Sequence, residues 1–177
     1  MIYCYKGWVR VVYDEQGPPF VMYPGDCVLQ PPQIRHSVLE SSAGLEVIEI
    51  SCPAEHETWA DPDLDLPTKE VRSDRDFGGQ HFVLHQAVHA EWKPWRMEGF
   101  EFRDTGIDTA TKGLAGVRVV RPLNGSRPLV CSKSGEFYFF FTLKGGVTLI
   151  CEGLGSQRME AGDSCVIPAQ QLHALTD

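Results

Sequence analysis

Two stretches of this chain repeat one another, and that repeat limits the fold more than any single residue does. Lys6-Gly7 and Lys144-Gly145 each lead into an apolar run, Trp8 to Val12 and Gly146 to Ile150. Pro24-Gly25-Asp26 then recurs as Ala161-Gly162-Asp163, with 18 positions from Gly7 to Gly25 and 17 from Gly145 to Gly162. Six residues beyond the second glycine stand Pro31 and Pro168, and eleven beyond it stand His36 and His173. A shared order of Gly, Gly-Asp, Pro and His at nearly constant spacing marks a duplicated structural unit.

Each copy reads as short strands joined by tight turns. Trp8 to Tyr13 is β-branched and aromatic, the composition of a strand. Asp14 to Pro19 is a turn, and Phe20 to Tyr23 a second strand. Pro24-Gly25 fits the central pair of a type II turn, where glycine supplies the positive φ. Cys27 to Leu29 is a third strand, ended by Pro31-Pro32 because proline donates nothing to a ladder. Ser37 to Leu39 and Leu45 to Ile50 follow. In the second copy the strands are Phe137 to Leu143, Val147 to Cys151 and Cys165 to Ile167, with Phe100 to Phe102 and Gly116 to Val120 upstream. No long helical period is visible. Such spacing predicts an all-β sandwich or barrel.

The expected boundaries are an N-terminal unit over residues 1–60, a linker over 61–78 and a C-terminal unit over 79–177. The linker follows from the prolines and acids between Pro53 and Lys69. Strand-like residues 81–90 are expected to open the second unit. Both ends of the chain read as structured, since Met1 leads straight into Ile2-Tyr3-Cys4-Tyr5 and His173-Ala174-Leu175 stops at Asp177.

Charge and cysteine usage exclude some classes. The net charge is −8 with no Lys/Arg run of five or more, which is no footprint for nucleic acid and no attraction for an anionic membrane. No signal peptide and no apolar run of membrane-spanning length occurs. None of the six cysteines stands in C-x-x-C spacing, so free thiols in a reducing cytoplasm are expected.

Pro24-Gly25-Asp26, Pro31-Pro32 and His36, repeated as Ala161-Gly162-Asp163, Pro168 and His173, resemble the second motif of the cupin superfamily, and of its two-repeat members in particular. The resemblance covers roughly residues 1–52 and 116–177, and it implies two double-stranded β-helix (jelly-roll) barrels. It also implies a metal held by two histidines and a glutamate of a first motif together with the second-motif histidine. The sequence departs from that pattern. Ser132 and Ser134 stand where the histidine pair belongs, and Tyr138 where the glutamate belongs, with Glu136 two residues away on the same strand face. In the first copy the corresponding motif would precede Met1, so the N-terminal barrel is expected to be incomplete. Only His36 and His173 remain as implied metal ligands, for one divalent transition metal (Fe, Mn, Ni or Zn) or none.

Three readings of function follow. The first is a binding module whose second barrel uses Ser132, Ser134, Tyr138 and His173 as a polar pocket for a small organic molecule. The second is a piece of a metal-dependent dioxygenase-like or isomerase-like enzyme acting on a small organic acid or phenol. The third is a structural or oligomerisation barrel. A missing leading strand would leave an open edge, so a homodimer is expected. His81, His85 and His89, spaced about 13 Å apart along a strand, read as a polar strand face. Trp92, Pro94 and Trp95 read as core packing.

Overall fold

The computed structural model describes residues 1–96, 98–123, 129–131 and 136–176, with 129–131 and 137 described through their backbone. Its regular secondary structure is nearly all strand. The elements are β1 Ile2–Lys6, β2 Val9–Tyr13, β3 Phe20–Met22, β4 Cys27–Leu29, β5 His36–Ser41, β6 Glu46–Glu49 and β7 Val83–His85. A 3₁₀ turn over Ala87–His89 is followed by β8 Lys93–Pro94, β9 Phe100–Asp104, the single helical turn α1 Ile107–Ala110 and β10 Arg118–Pro122. The chain closes with β11 Leu129–Cys131, β12 Phe137–Phe141, β13 Gly146–Cys151, β14 Gly155–Glu160, β15 Ser164–Pro168 and β16 His173–Thr176. Two compact units result, one of Met1–Lys93 with Phe102–Val119, the other of Pro94–Glu101 with Val120–Asp177.

The repeat read from the sequence is also a repeat of strand pairing. In the first unit β1 pairs with β4, and β2 with both β3 and β5, all antiparallel. In the second, β12 pairs with β15, and β13 with both β14 and β16, again antiparallel. The turns match too. Gly25 has φ +100° and Gly162 φ +98°. The Asp26 carboxylate accepts the Tyr23 amide at 2.9 Å, and Asp163 accepts that of Glu160 at 2.8 Å. Each aspartate therefore fills the turn's open amide, which explains why Gly-Asp recurs as a pair. Gln33 and Gln170 share a positive φ of 65° and 64°, a match that the side chains themselves do not announce.

The edges differ. β16 carries β11 on its outer edge, Cys131 opposite His173. Among the described residues β5 has no strand there, and Val38 and Leu39 are exposed.

Alternation along the strands sets the cores. In β2, Val9 and Val11 point inward while Arg10 is exposed. They meet Cys4, Tyr13, Met22, Val28, Ile34 and Phe77, with Phe20, Phe82 and Leu84 against them. Each such side chain contributes about 1.5–3 kcal/mol by leaving water. The second unit has its own core of Leu149, Met159 and Ile167, flanked by Tyr138, Phe140 and Val147 among others.

Two stretches behave differently from their sequence reading. Residues 81–90 do not open the second unit. β7 instead adds to β4, with Cys27 opposite His85 and Leu29 opposite Val83, because β4 is buried on both faces and needs an apolar neighbour. Residues 61–77 are fastened to the end of β2 rather than left as a free linker. Arg35 donates to the buried Asp14 at 2.7 and 3.0 Å and to Asp61 at 3.1 Å. Arg72 and Arg75 both donate to Glu15, the latter at 2.9 Å, and Thr68 accepts the Glu15 amide at 2.7 Å. The Arg72 bond, before all else, holds the Glu15 carboxyl below its usual range. Phe77, 6% exposed, completes the anchoring in the core.

Trp92 lies beneath the Arg103 guanidinium, 5.7 Å away, in the first unit. In the second, Trp95 meets Phe100 edge-on at 6.2 Å.

Candidate functional site

The second unit brings together two of the four residues expected to line its pocket. His173 starts β16 opposite Cys151 of β13, and Tyr138 lies on β12 opposite Ile167. The Tyr138 and His173 rings are 6.0 Å apart, and Phe140, two residues along the same strand face, meets His173 edge-on at 5.6 Å. Ser132 and Ser134 lie outside the described residues. Glu136 is exposed, so it does not enter this interior.

His173 is 3% exposed. Its Nδ1 is 2.9 Å from the Gln171 carbonyl, which only accepts, so Nδ1 carries the proton. Nε2 is then the remaining ring nitrogen. Nε2 is buried and has no partner among the described residues. A buried acceptor left without a donor costs about 1–3 kcal/mol.

The matching histidine of the first unit stands in another setting. His36 is exposed and stacks on Tyr13, its cross-strand neighbour, at 5.3 Å and 18°. Tyr13 fills the space inside. It packs on Phe20 and Phe82 at 5.8 and 4.7 Å, and its hydroxyl accepts from Gln30 at 2.9 Å. Burial pushes its phenol up to about 12.

A divalent transition metal needs several nitrogen, oxygen or sulfur donors converging on one point. Among the described residues no three His, Cys, Asp or Glu side chains do so. The neighbours of His173 are aromatic rings, and the neighbour of His36 is the Tyr13 ring. The described residues therefore do not fit such an ion.

A second group of polar side chains lies in the first unit. Arg103 is 7% exposed and donates through Nη2 to the Tyr3 hydroxyl at 3.1 Å and the Gly25 carbonyl at 3.0 Å. Its Nε is buried without a partner, and so is His85 Nε2, among the described residues. Burial first, and the Arg103 charge second, hold the His85 imidazole below its ordinary pKa. Burial raises the Tyr3 phenol, and pushes the Cys27 thiol up to about 12. Beside this cluster opens a cleft of about 350 Å³, walled by residues 84–86, 89, 90 and 104–106.

His81, His85 and His89 do not share one strand face, contrary to the expectation from their spacing. The strand ends at His85, and the 3₁₀ turn folds the chain back so that His89 joins His85 at the cleft. His81 lies before the strand, with Nδ1 3.1 Å from the Arg75 carbonyl. Arg103 was missed because alternation along Phe100-Glu101-Phe102-Arg103 pairs it with a charged residue, the usual mark of an outward face.

No family model matches the chain, and no curated protein matches it. Among solved structures it is similar to the protein Ylba from E. coli, described by the family model DUF861, with a TM-score of 0.52 and 12% sequence identity. The match covers 98% of this chain, which spans 61% of the length of that one. The likeness shows the fold: the chain is all-β and of cupin type.

Proposed function

We propose that the chain is a two-repeat cupin that acts as a binding module, taking a small phenol-like molecule into its second unit without a metal. The observation behind this reading is the buried, unpartnered Nε2 of His173, set between the rings of Tyr138 and Phe140. A phenolic O–H would supply the missing donor, and its ring would lie against the two aromatic faces. Such contacts add about 0.5–1.5 kcal/mol beyond area burial. The first unit supports the division of roles, because Tyr13 already occupies the matching interior.

The test is calorimetric titration of chelator-treated protein with phenol, alongside its methyl ether, which has the ring but no donor. Phenol is expected to bind, the ether about tenfold or more weaker, and His173→Ala to lose the preference. Equal binding of the two compounds, an unchanged preference in His173→Ala, or binding that appears only after a transition metal is added would overturn the proposal.

A further inference from the structure

We infer that two copies of this chain associate through β5, the strand of one copy adding antiparallel to that of the other. The internal repeat carries this. His36, Ser37 and Val38 of β5 take the places that His173, Ala174 and Leu175 hold in β16. On β16 these three positions have strands on both sides, with Leu175 set between Leu149 of β13 and Leu129 of β11 and packed on the core of its unit. On β5 they have one, among the described residues. Val38 stands opposite Val11 of β2 and so shares its face of the sheet. Val11 is 4% exposed and belongs to the core, whereas Val38 is 61% exposed. The core face of the first unit is therefore covered up to β2 and, among the described residues, open at β5. A strand added there takes up the main-chain groups of the edge and covers Val38.

The edge itself points to a second copy. Its usable length is short. The register between β2 and β5 slips between Arg10 and Val11, which leaves Leu39 as an extra residue, and such a bulge interrupts pairing. Regular pairing is thus confined to positions 36–38, the counterparts of the three that β11 covers on β16. A two-fold axis through Ser37 pairs this segment with itself: Ser37 faces Ser37, and Val38 of each copy faces His36 of the other. No like charges meet within the segment, and a small side chain sits at the axis. Just outside it the charges differ in sign, with Arg35 before and Glu40 after, both exposed. Antiparallel addition brings the Arg35 end of each copy to the Glu40 end of the other, where parallel addition would set Glu40 beside Glu40. These exposed charges fix direction more than strength. Three residues a side make a small interface, so the dimer is weak and forms as concentration rises.

The experiment is sedimentation velocity on the full chain over about a hundredfold range of concentration, with amide hydrogen exchange followed by NMR on the same samples. A monomer–dimer equilibrium is expected, and the β5 amides that exchange freely in dilute protein should gain protection as the dimer fills. Val38→Lys, at a position exposed in the single chain, is expected to weaken the dimer about tenfold or more, whereas Val166→Lys, as exposed but on β15, should not. A chain monomeric throughout the range, a dimer that Val38→Lys leaves intact, or β5 protection independent of concentration would overturn the inference. So would a monomeric chain whose β5 is protected by a synthetic peptide of residues 128–132, since the edge would then serve a strand of another protein.

Discussion

Gly25 and Gly162 occupy the same turn in the two units, with φ of +100° and +98°, yet their surroundings differ. A methyl group at position 25 would meet Ala87 Cβ at 2.9 Å and Arg103 Nη2 at 3.0 Å, whereas at 162 it would meet nothing within 4 Å. The pair therefore separates backbone strain from packing. Alanine at a positive φ costs about 1–2 kcal/mol, and this applies at both positions. Crowding adds about 1–3 kcal/mol at position 25 alone. The entropy that glycine returns to the unfolded chain is the same for both and cancels. Gly162→Ala is thus expected to cost about 1–2 kcal/mol and Gly25→Ala about 2–5 kcal/mol. Native-state hydrogen exchange reads each turn locally. The Cys4 amide donates to the Asp26 carbonyl and the Thr142 amide to that of Asp163, both at 2.9 Å. Protection at Cys4 in Gly25→Ala should fall well below that at Thr142 in Gly162→Ala, each taken against the parent protein. Equal losses would refute the argument that the neighbours of the turn, and not its φ, distinguish the two repeats.

Phe77→Ala should destabilise the first unit by about 3–5 kcal/mol and expose Arg72 and Arg75 to trypsin, checked by urea unfolding and limited proteolysis; a variant as resistant as the parent would show that the segment is held by its ion pairs alone. His85 has a folded-state pKa below its ordinary 6.5, so the unfolded chain binds its proton first as pH falls. Stability is expected to decline on acidification from about pH 6.5 towards the depressed folded-state value, and His85→Gln should flatten that part of a Tm–pH curve, an unchanged slope telling against burial of this ring.

The parts of the fold visible in the sequence are those set by local chemistry. Gly25 with Asp26, and Gly162 with Asp163, are legible because a turn needs both a positive φ and a carboxylate for its open amide. Pro31 and Pro168 are legible because they end strands. Partnership between distant segments is not local. Nothing in Val83-Leu84-His85 states that β4 is its neighbour, and nothing in Arg72 or Arg75 names Glu15 as the anchor. The same holds for the candidate sites. His36 and His173 were found together by spacing, but their settings diverge because Tyr13 stands beside one and Cys151 beside the other. His85 and His89 met only through a three-residue turn that strand periodicity does not encode.

The hydrogen bond from Arg103 to Tyr3 joins residues 100 positions apart within one unit. Its consequence is kinetic. Closing long loops before their contacts form is slow, and folding rates fall as contacts become less local. The strand pairings described in the second unit span shorter stretches, from the β13–β14 hairpin to β11 with β16. The first unit begins the chain but cannot finish until residue 103 is available to cover Tyr3 and Gly25. During synthesis its opening strands can pair with one another early, but Tyr3 and Gly25 wait for a side chain made much later, so the order in which the two units mature need not be the order in which they are written.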